Sequence, residues 1–225
     1  MTESNIPYTE IYGDIFKHFD WRRDGYPIPY MKTPDKFYLV QCISGDRAMG
    51  AGLAKDINSR YHFRDRVIGE FARSFAGFKE DGWIFHKNSG TFIRMPLIKS
   101  EEGYSVGEKQ TIKFDDPVGT VVDSYDVPDI LGIVTKKNYY DKPTPADMQK
   151  GLDGLKVYIE EELWALDDED DYTIELIMPT LGCGLDHLDW EMVSEMILNT
   201  FTDLMVKGRL MITVVKKDRD FKFKW

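Results

Sequence analysis

The sequence predicts an α/β protein in which helices cover both faces of a mixed, mostly parallel sheet. Three observations carry this. Short apolar runs bounded by polar residues, at 37–44, 130–136, 172–179 and 210–215, have the length and continuity of buried strands. Between them lie stretches whose apolar residues recur at helical spacing. The two kinds of segment alternate along the chain, which is the pattern of strands joined by crossover helices.

Taken in order, FYLVQCIS (37–44) is the first buried strand. MGAGLAKDINSRY (49–61) reads as a helix with Leu53, Ile57 and Tyr61 on one stripe, and 63–75 as a second helix. Residues 82–124, rich in Gly, Thr, Val, Phe and Ile, read as several short strands and turns. ILGIVTK (130–136) is a further strand. Thr144, Pro145 and Asp147 then supply an N-cap, a proline at the first helical position and an acidic residue at the capping-box position. Met148, Leu152, Leu155, Ile159 and Leu163 form the stripe of that helix. YTIELIMP (172–179) is a strand, and Asp189 caps a helix with Val193, Ile197, Phe201 and Leu204 on its buried side. LMITVV (210–215) is the last strand. The acidic run Glu160–Glu162 with Asp167–Asp171 reads as a solvated helix end and loop.

With 225 residues and 42% hydrophobic content the chain can bury a sizeable core. A formal charge of −10 argues against duplex nucleic acid as a stable partner, so an anionic ligand has to be held by local N–H groups. There is no long uncharged apolar run and no basic, apolar leader at the N-terminus, so a cytoplasmic protein with no membrane partner is expected. Cys42 and Cys183 form no CxxC pair, and with four scattered histidines they offer no metal-site spacing. No metal or cofactor is expected, and the chain is expected to be a monomer.

In such sheets ligands bind outside the carboxyl ends of the strands. Three loops leave strands there with suggestive chemistry: SGDRAMGAG (44–52), TKKNYYDKPT (135–144) and TLGCGLDHL (180–188). The first and third carry Gly50 with Gly52 and Gly182 with Gly184, and both lead into helices, whose N-termini suit phosphates. Two such loops can hold a diphosphate from both sides. Neither is a Walker sequence or a complete dinucleotide fingerprint, and each glycine pair read alone is a turn. Cys183, with His187 close in sequence, reads either as a nucleophile or as a small inert thiol lining the loop, and the second is preferred. His187 reads as a loop residue and Trp190 as packing on the helix start.

The chain resembles macrodomains, in the branch of the terminal ADP-ribose protein glycohydrolase. The matching stretches are Tyr12-Gly13-Asp14-Ile15-Phe16, Gln41-Cys42-Ile43-Ser44-Gly45-Asp46 with Met49-Gly50-Ala51-Gly52-Leu53-Ala54, Val134-Thr135-Lys136-Lys137 with Lys142-Pro143-Thr144, and Met178-Pro179-Thr180-Leu181-Gly182-Cys183-Gly184-Leu185-Asp186. The resemblance implies a single macrodomain over 1–225, a three-layer α/β/α sandwich with a β-rich insertion. Residues 19–36 and about 86–118 stand out as insertions, the second forming a hairpin or small subsheet that either covers the ligand or lies away from it.

The same resemblance implies a pocket for ADP-ribose or an ADP-ribosylated substrate. Asp14 would bond the adenine amino group, with Ile15 beside it. Gly50, Gly52, Gly182, Cys183, Gly184 and Leu185 would hold the diphosphate and distal ribose. Ser44 would bond ribose or phosphate. Lys136 and Asp186 would be catalytic, the lysine attacking C1″ of the distal ribose and the aspartate moving a proton. The activity implied is removal of ADP-ribose from a glutamyl ester on protein, from thymidine in DNA, or from O-acetyl-ADP-ribose. A non-catalytic ADP-ribose-binding module and an ADP-ribose 1″-phosphate phosphatase stay open as alternatives.

Overall fold

A computed structural model of the chain describes residues 7–24, 34–63, 83–88, 91–100, 103–106, 110–123, 129–165 and 172–217. In chain order the elements are β1 (Tyr8–Gly13), α1 (Ile15–Arg23), β2 (Lys36–Ser44), α2 (Gly52–Tyr61), β3 (Trp83–Asn88), β4 (Thr91–Ser100), β5 (Gly103–Val106) and β6 (Gln110–Lys113). They continue with β7 (Val121–Asp123), β8 (Ile130–Lys136), α3 (Pro145–Ala165), β9 (Ile174–Met178), α4 (Trp190–Val206) and β10 (Leu210–Lys217).

The described strands form a six-stranded sheet in the order β1-β10-β9-β2-β8-β7. Every neighbouring pair is parallel except β7 with β8. Side chains alternate across the strands, so the sheet feeds two cores. Tyr38 and Val40 of β2 and Leu131 and Ile133 of β8 join Leu152 and Ile159 of α3 and Val193, Ile197 and Phe201 of α4. Leu39 and Ile43 of β2 and Val134 of β8 face the other way, onto Ile15 and Phe19 of α1 and Ile57 and Tyr61 of α2. The result is the three-layer α/β/α sandwich expected. Strands β3 to β6 form a separate four-stranded antiparallel sheet, with β4 paired to β3, β5 and β6.

Local chemistry sets the helix starts. At α3, Asp147 Oδ2 accepts from the Thr144 N–H at 2.9 Å and from its hydroxyl at 2.7 Å, while the Asp147 N–H donates back to Thr144 Oγ1 at 3.2 Å. These bonds hold the Asp147 carboxyl below its usual pKa. Asp189 accepts from the Met192 N–H at 3.0 Å and caps α4. Met148, Leu152, Leu155 and Ile159 are fully buried, as their spacing requires.

Three details differ from the sequence reading. Helix α2 starts at Gly52 instead of 49, because Met49 lies at φ +44°, outside the helical region. Strand β1 and helix α1 were not anticipated as elements. Residues 19–23, within a stretch expected as an insertion, are the second half of α1, and Phe19 is fully buried. Arg22 donates through Nε to Glu175 Oε2 at 2.8 Å, both side chains being buried, and Thr213 Oγ1 donates to Glu175 Oε1 at 2.7 Å. The anticipated helix at 63–75 lies outside the described residues beyond Phe63, as does Asp167–Asp171 of the acidic run. Among the described residues no helix is long and apolar enough to cross a membrane. No group of three potential metal ligands occurs among them either.

Candidate active site

The five parallel strands end together. Gly13 closes β1, Ser44 closes β2, Lys136 closes β8, Met178 closes β9 and Lys217 closes β10. A cleft of about 760 Å³ opens across these ends. All eleven residues singled out from the sequence line it: Asp14, Ile15, Ser44, Gly50, Gly52, Lys136, Gly182, Cys183, Gly184, Leu185 and Asp186.

The three loops are tied to one another. The Lys136 ammonium donates to Asp186 Oδ1 at 2.6 Å, with side-chain exposures of 15% and 12%. The Lys142 ammonium donates to the Leu185 carbonyl, a second bond between the same two loops. The Gly45 N–H donates to the Lys136 carbonyl at 2.9 Å, and the Tyr139 N–H to Asp46 Oδ2 at 3.1 Å. Segments far apart in sequence thus present one continuous wall.

The glycines divide into two kinds. Gly182 lies at φ +68°, and a Cβ there would sit 2.7 Å from Met148 Cε and 2.8 Å from Leu188 Cδ1. Gly52 lies at φ +59° and would meet Leu185 Cδ1 at 3.0 Å. These two are required by the backbone. A Cβ on Gly50 or Gly184 would meet nothing within 4 Å, so a side chain there would point into free space at the cleft.

Asp14 is the N-cap of α1. Its Oδ1 accepts from the Phe16 N–H at 2.9 Å and the Lys17 N–H at 3.4 Å. The cap fixes the carboxylate at the cleft edge, and neither of these bonds uses Oδ2. The capping role seen here and the ligand role implied by the resemblance are therefore compatible.

No family model matches the chain. In sequence it is 28% identical over 190 residues to the ADP-ribose glycohydrolase OARD1 of Homo sapiens, covering 81% of this chain and 91% of that one. In structure it superposes on the macrodomain of Mycobacterium tuberculosis DarG with a TM-score of 0.53 at 17% identity, over 92% of this chain and 96% of that one. The macrodomain of Thermus aquaticus DarG gives 0.52 at 15%, over 92% and 97%. The fold is that of a macrodomain. A solved Thermosipho africanus DarTG in complex with ADP-ribose also superposes, with a TM-score of 0.50 at 14% identity, over 99% of this chain and 44% of that one.

Within this fold the two thiols are poor nucleophiles. Burial pushes the Cys183 thiol up to about 11, and its Sγ donates to the Leu181 carbonyl at 3.2 Å. Burial, with the nearby Asp186 charge, pushes Cys42 up to about 12. His187 is exposed at φ +61° and does not line the cleft. Trp190 packs at the start of α4, its Nε1–H donating to Glu10 Oε1 at 3.0 Å.

Sequence reasoning passed over several lining residues. Tyr139 and Tyr140 stack edge to face 5.1 Å apart beside Lys136, at 53% and 68% exposure. Two exposed adjacent tyrosines in a polar loop are a signal that was there to be read. Gln41 had none, since it sits inside the apolar run of β2. It is 1% exposed, lines the cleft, and neither of its amide atoms has a partner among the described residues.

Proposed function

We propose that this macrodomain binds ADP-ribose in the strand-end cleft and hydrolyses its conjugates there, with Lys136 and Asp186 as the reacting pair. The observation that carries this is the 2.6 Å Lys136–Asp186 contact inside a cleft walled by both glycine loops. A binding module needs the glycine loops and Asp14 but no such pair. The 28% identical relative is named as an ADP-ribose glycohydrolase, which supports the same reading.

The nucleotide would enter with its adenine at Asp14. A carboxylate oxygen accepts from an exocyclic amine, and the two cap bonds leave Oδ2 unused. The glycine loops would supply N–H groups to the diphosphate, which is how a chain of charge −10 holds an anion. A ribose hydroxyl meeting the Gln41 amide would satisfy a group whose burial is otherwise costly.

An ammonium is not a nucleophile. For attack, the Lys136 proton moves along the 2.6 Å bond to Asp186, and the freed amine lone pair forms the bond to C1″. The bond from C1″ to the leaving atom, a carboxylate oxygen in the glutamyl ester or a ring nitrogen in the thymidine conjugate, breaks with its electron pair, and Asp186 returns the proton to that atom. Water then releases ADP-ribose from the lysyl adduct. The candidate substrates of this step are a glutamyl ester on protein and ADP-ribosylated thymidine in DNA; O-acetyl-ADP-ribose, the third candidate, would lose acetate by water attack on its ester carbonyl instead.

The test is release of ADP-ribose from each of these three conjugates by the purified protein, beside calorimetry with free ADP-ribose. Turnover of at least one conjugate is expected. Binding without turnover of any would make the protein a binding module.

A further inference from the structure

Asp46, two residues beyond the nearest β2 residue of the cleft wall, accepts three hydrogen bonds. The Ser44 hydroxyl donates to its Oδ1 at 2.5 Å and the Ala48 N–H to the same oxygen at 3.2 Å. The Tyr139 N–H donates to Oδ2 at 3.1 Å. The loop around it is braced on both sides. Gly45 bonds the Lys136 carbonyl, and Arg47 Nε bonds Asp116 Oδ2 at 2.6 Å with both side chains largely buried.

Ser44 is 4% exposed, lines the cleft, and is the cross-strand partner of Lys136 in the β2–β8 ladder. A serine hydroxyl carries one proton and two acceptor lone pairs. That proton is committed to Asp46, and an ionised carboxylate can only accept. Ser44 Oγ therefore offers the cleft lone pairs alone. A phosphate oxygen placed against it would set acceptor against acceptor. A ribose hydroxyl would donate to it.

We propose that Asp46 is a positioning residue that fixes Ser44 as a hydrogen-bond acceptor, so that Ser44 recognises a ribose hydroxyl beside Lys136 and takes no part in holding phosphate. This decides between the two ligand groups that the sequence left open for Ser44. It rests on the ADP-ribose reading above. The two backbone bonds to Asp46 serve the same end, since they hold the carboxylate under the hydroxyl while joining the first glycine loop to the loop after Lys136.

ADP separates the two roles, because it keeps both phosphates and lacks the distal ribose. Calorimetry would compare ADP-ribose with ADP on wild type, Ser44→Ala, Asp46→Asn and the double variant, with thermal unfolding of each. Ser44→Ala and Asp46→Asn are each expected to weaken ADP-ribose by about tenfold while ADP changes less than about twofold. The double variant should bind ADP-ribose no more than about twofold worse than Ser44→Ala, because Asp46 acts through the same hydroxyl. If Asp46→Asn unfolds, Ser44→Ala still carries the comparison, as it removes only one atom. Equal losses for ADP and ADP-ribose would overturn the proposal in favour of phosphate binding, and unchanged affinities in Ser44→Ala would overturn it outright. A wild-type protein that binds neither nucleotide would instead refute the ADP-ribose reading on which it rests.

Discussion

Lys136 and Asp186 are fifty residues apart in sequence and 2.6 Å apart in space. One closes a parallel strand and the other lies in the loop after β9, so the sheet brings them together. Both side chains are mostly shielded from water, at 15% and 12% exposure, where an unpaired charge is costly. Asp186→Asn keeps the shape and removes the charge and the proton acceptor. It should lower turnover at least about a hundredfold, within the usual range for a lost general base. Steady-state assays on the best conjugate would show this, and near-normal turnover would remove Asp186 from the chemistry.

The two glycines of the third loop should respond differently. Gly182→Ala forces a side chain onto a backbone at φ +68° and against Met148 at 2.7 Å. A loss of about 1–3 kcal/mol is expected, seen as a lower thermal midpoint. Gly184→Val has open space for its Cβ and should change stability by less than about 0.5 kcal/mol. Its side chain should nevertheless weaken ADP-ribose binding by standing at the cleft. Unchanged affinity in a folded Gly184→Val protein would make the loop a turn and nothing more.

Asp14 combines a cap with a proposed adenine contact, and two substitutions separate these. Asp14→Ala should cost about 1 kcal/mol through the lost cap, as well as binding. Asp14→Ser keeps an oxygen for the Phe16 N–H and lacks the second carboxylate oxygen. It should hold wild-type stability while losing ADP-ribose affinity. Equal affinities for wild type and Asp14→Ser, by calorimetry, would assign Asp14 to the helix alone.

Both thiols should stay protonated at neutral pH. Alkylation of folded protein by iodoacetamide should be slow at pH 7–8 and rise about tenfold per pH unit until Cys183 ionises near about 11. Cys183→Ala should retain turnover. The unfolded chain ionises these groups at about 9, so between there and about 11 it binds fewer protons than the fold, and stability should fall as pH rises. Rapid labelling at pH 7 with parallel loss of turnover would instead make Cys183 the nucleophile.

Where side chains obey a local rule, the sequence was readable. The Thr144–Asp147 box, the Asp189 cap, and the apolar stripes of α3 and α4 placed two helices from residues close in sequence. The parallel strands β2, β8, β9 and β10 stood out because both faces are covered and their runs are apolar. Strand β1 did not, because it is an edge strand with Glu10 and Tyr12 exposed. Helix α1 did not, because its buried positions are Ile15, Phe19 and Arg22. An arginine on a buried stripe looks like a solvent residue until Glu175, 153 positions away, is known to face it.

The site was legible for a related reason. Glycines and charged residues at the ends of apolar runs mark strand-end loops, and the resemblance assigned them roles. What no spacing rule revealed were the contacts between loops: Asp46 to Tyr139, Lys142 to Leu185, and the buried amide of Gln41. These depend on which strands lie side by side, and the β2–β8 pairing joins segments more than eighty residues apart.

In the proposed reaction Lys136 forms the bond to C1″ while the rest of the cleft holds the nucleotide. The most direct measurement pairs turnover with binding on Lys136→Ala. Turnover should fall by orders of magnitude with ADP-ribose affinity within several-fold of wild type, because in the proposed binding mode backbone groups and Asp14 would hold the ligand. The lysyl adduct can open its ribose ring to an imine, so wild-type protein treated with a hydride reductant during turnover should also gain mass on the peptide containing Lys136. Hydrolysis by Lys136→Ala at the wild-type rate would contradict the account and leave an activated water as the nucleophile.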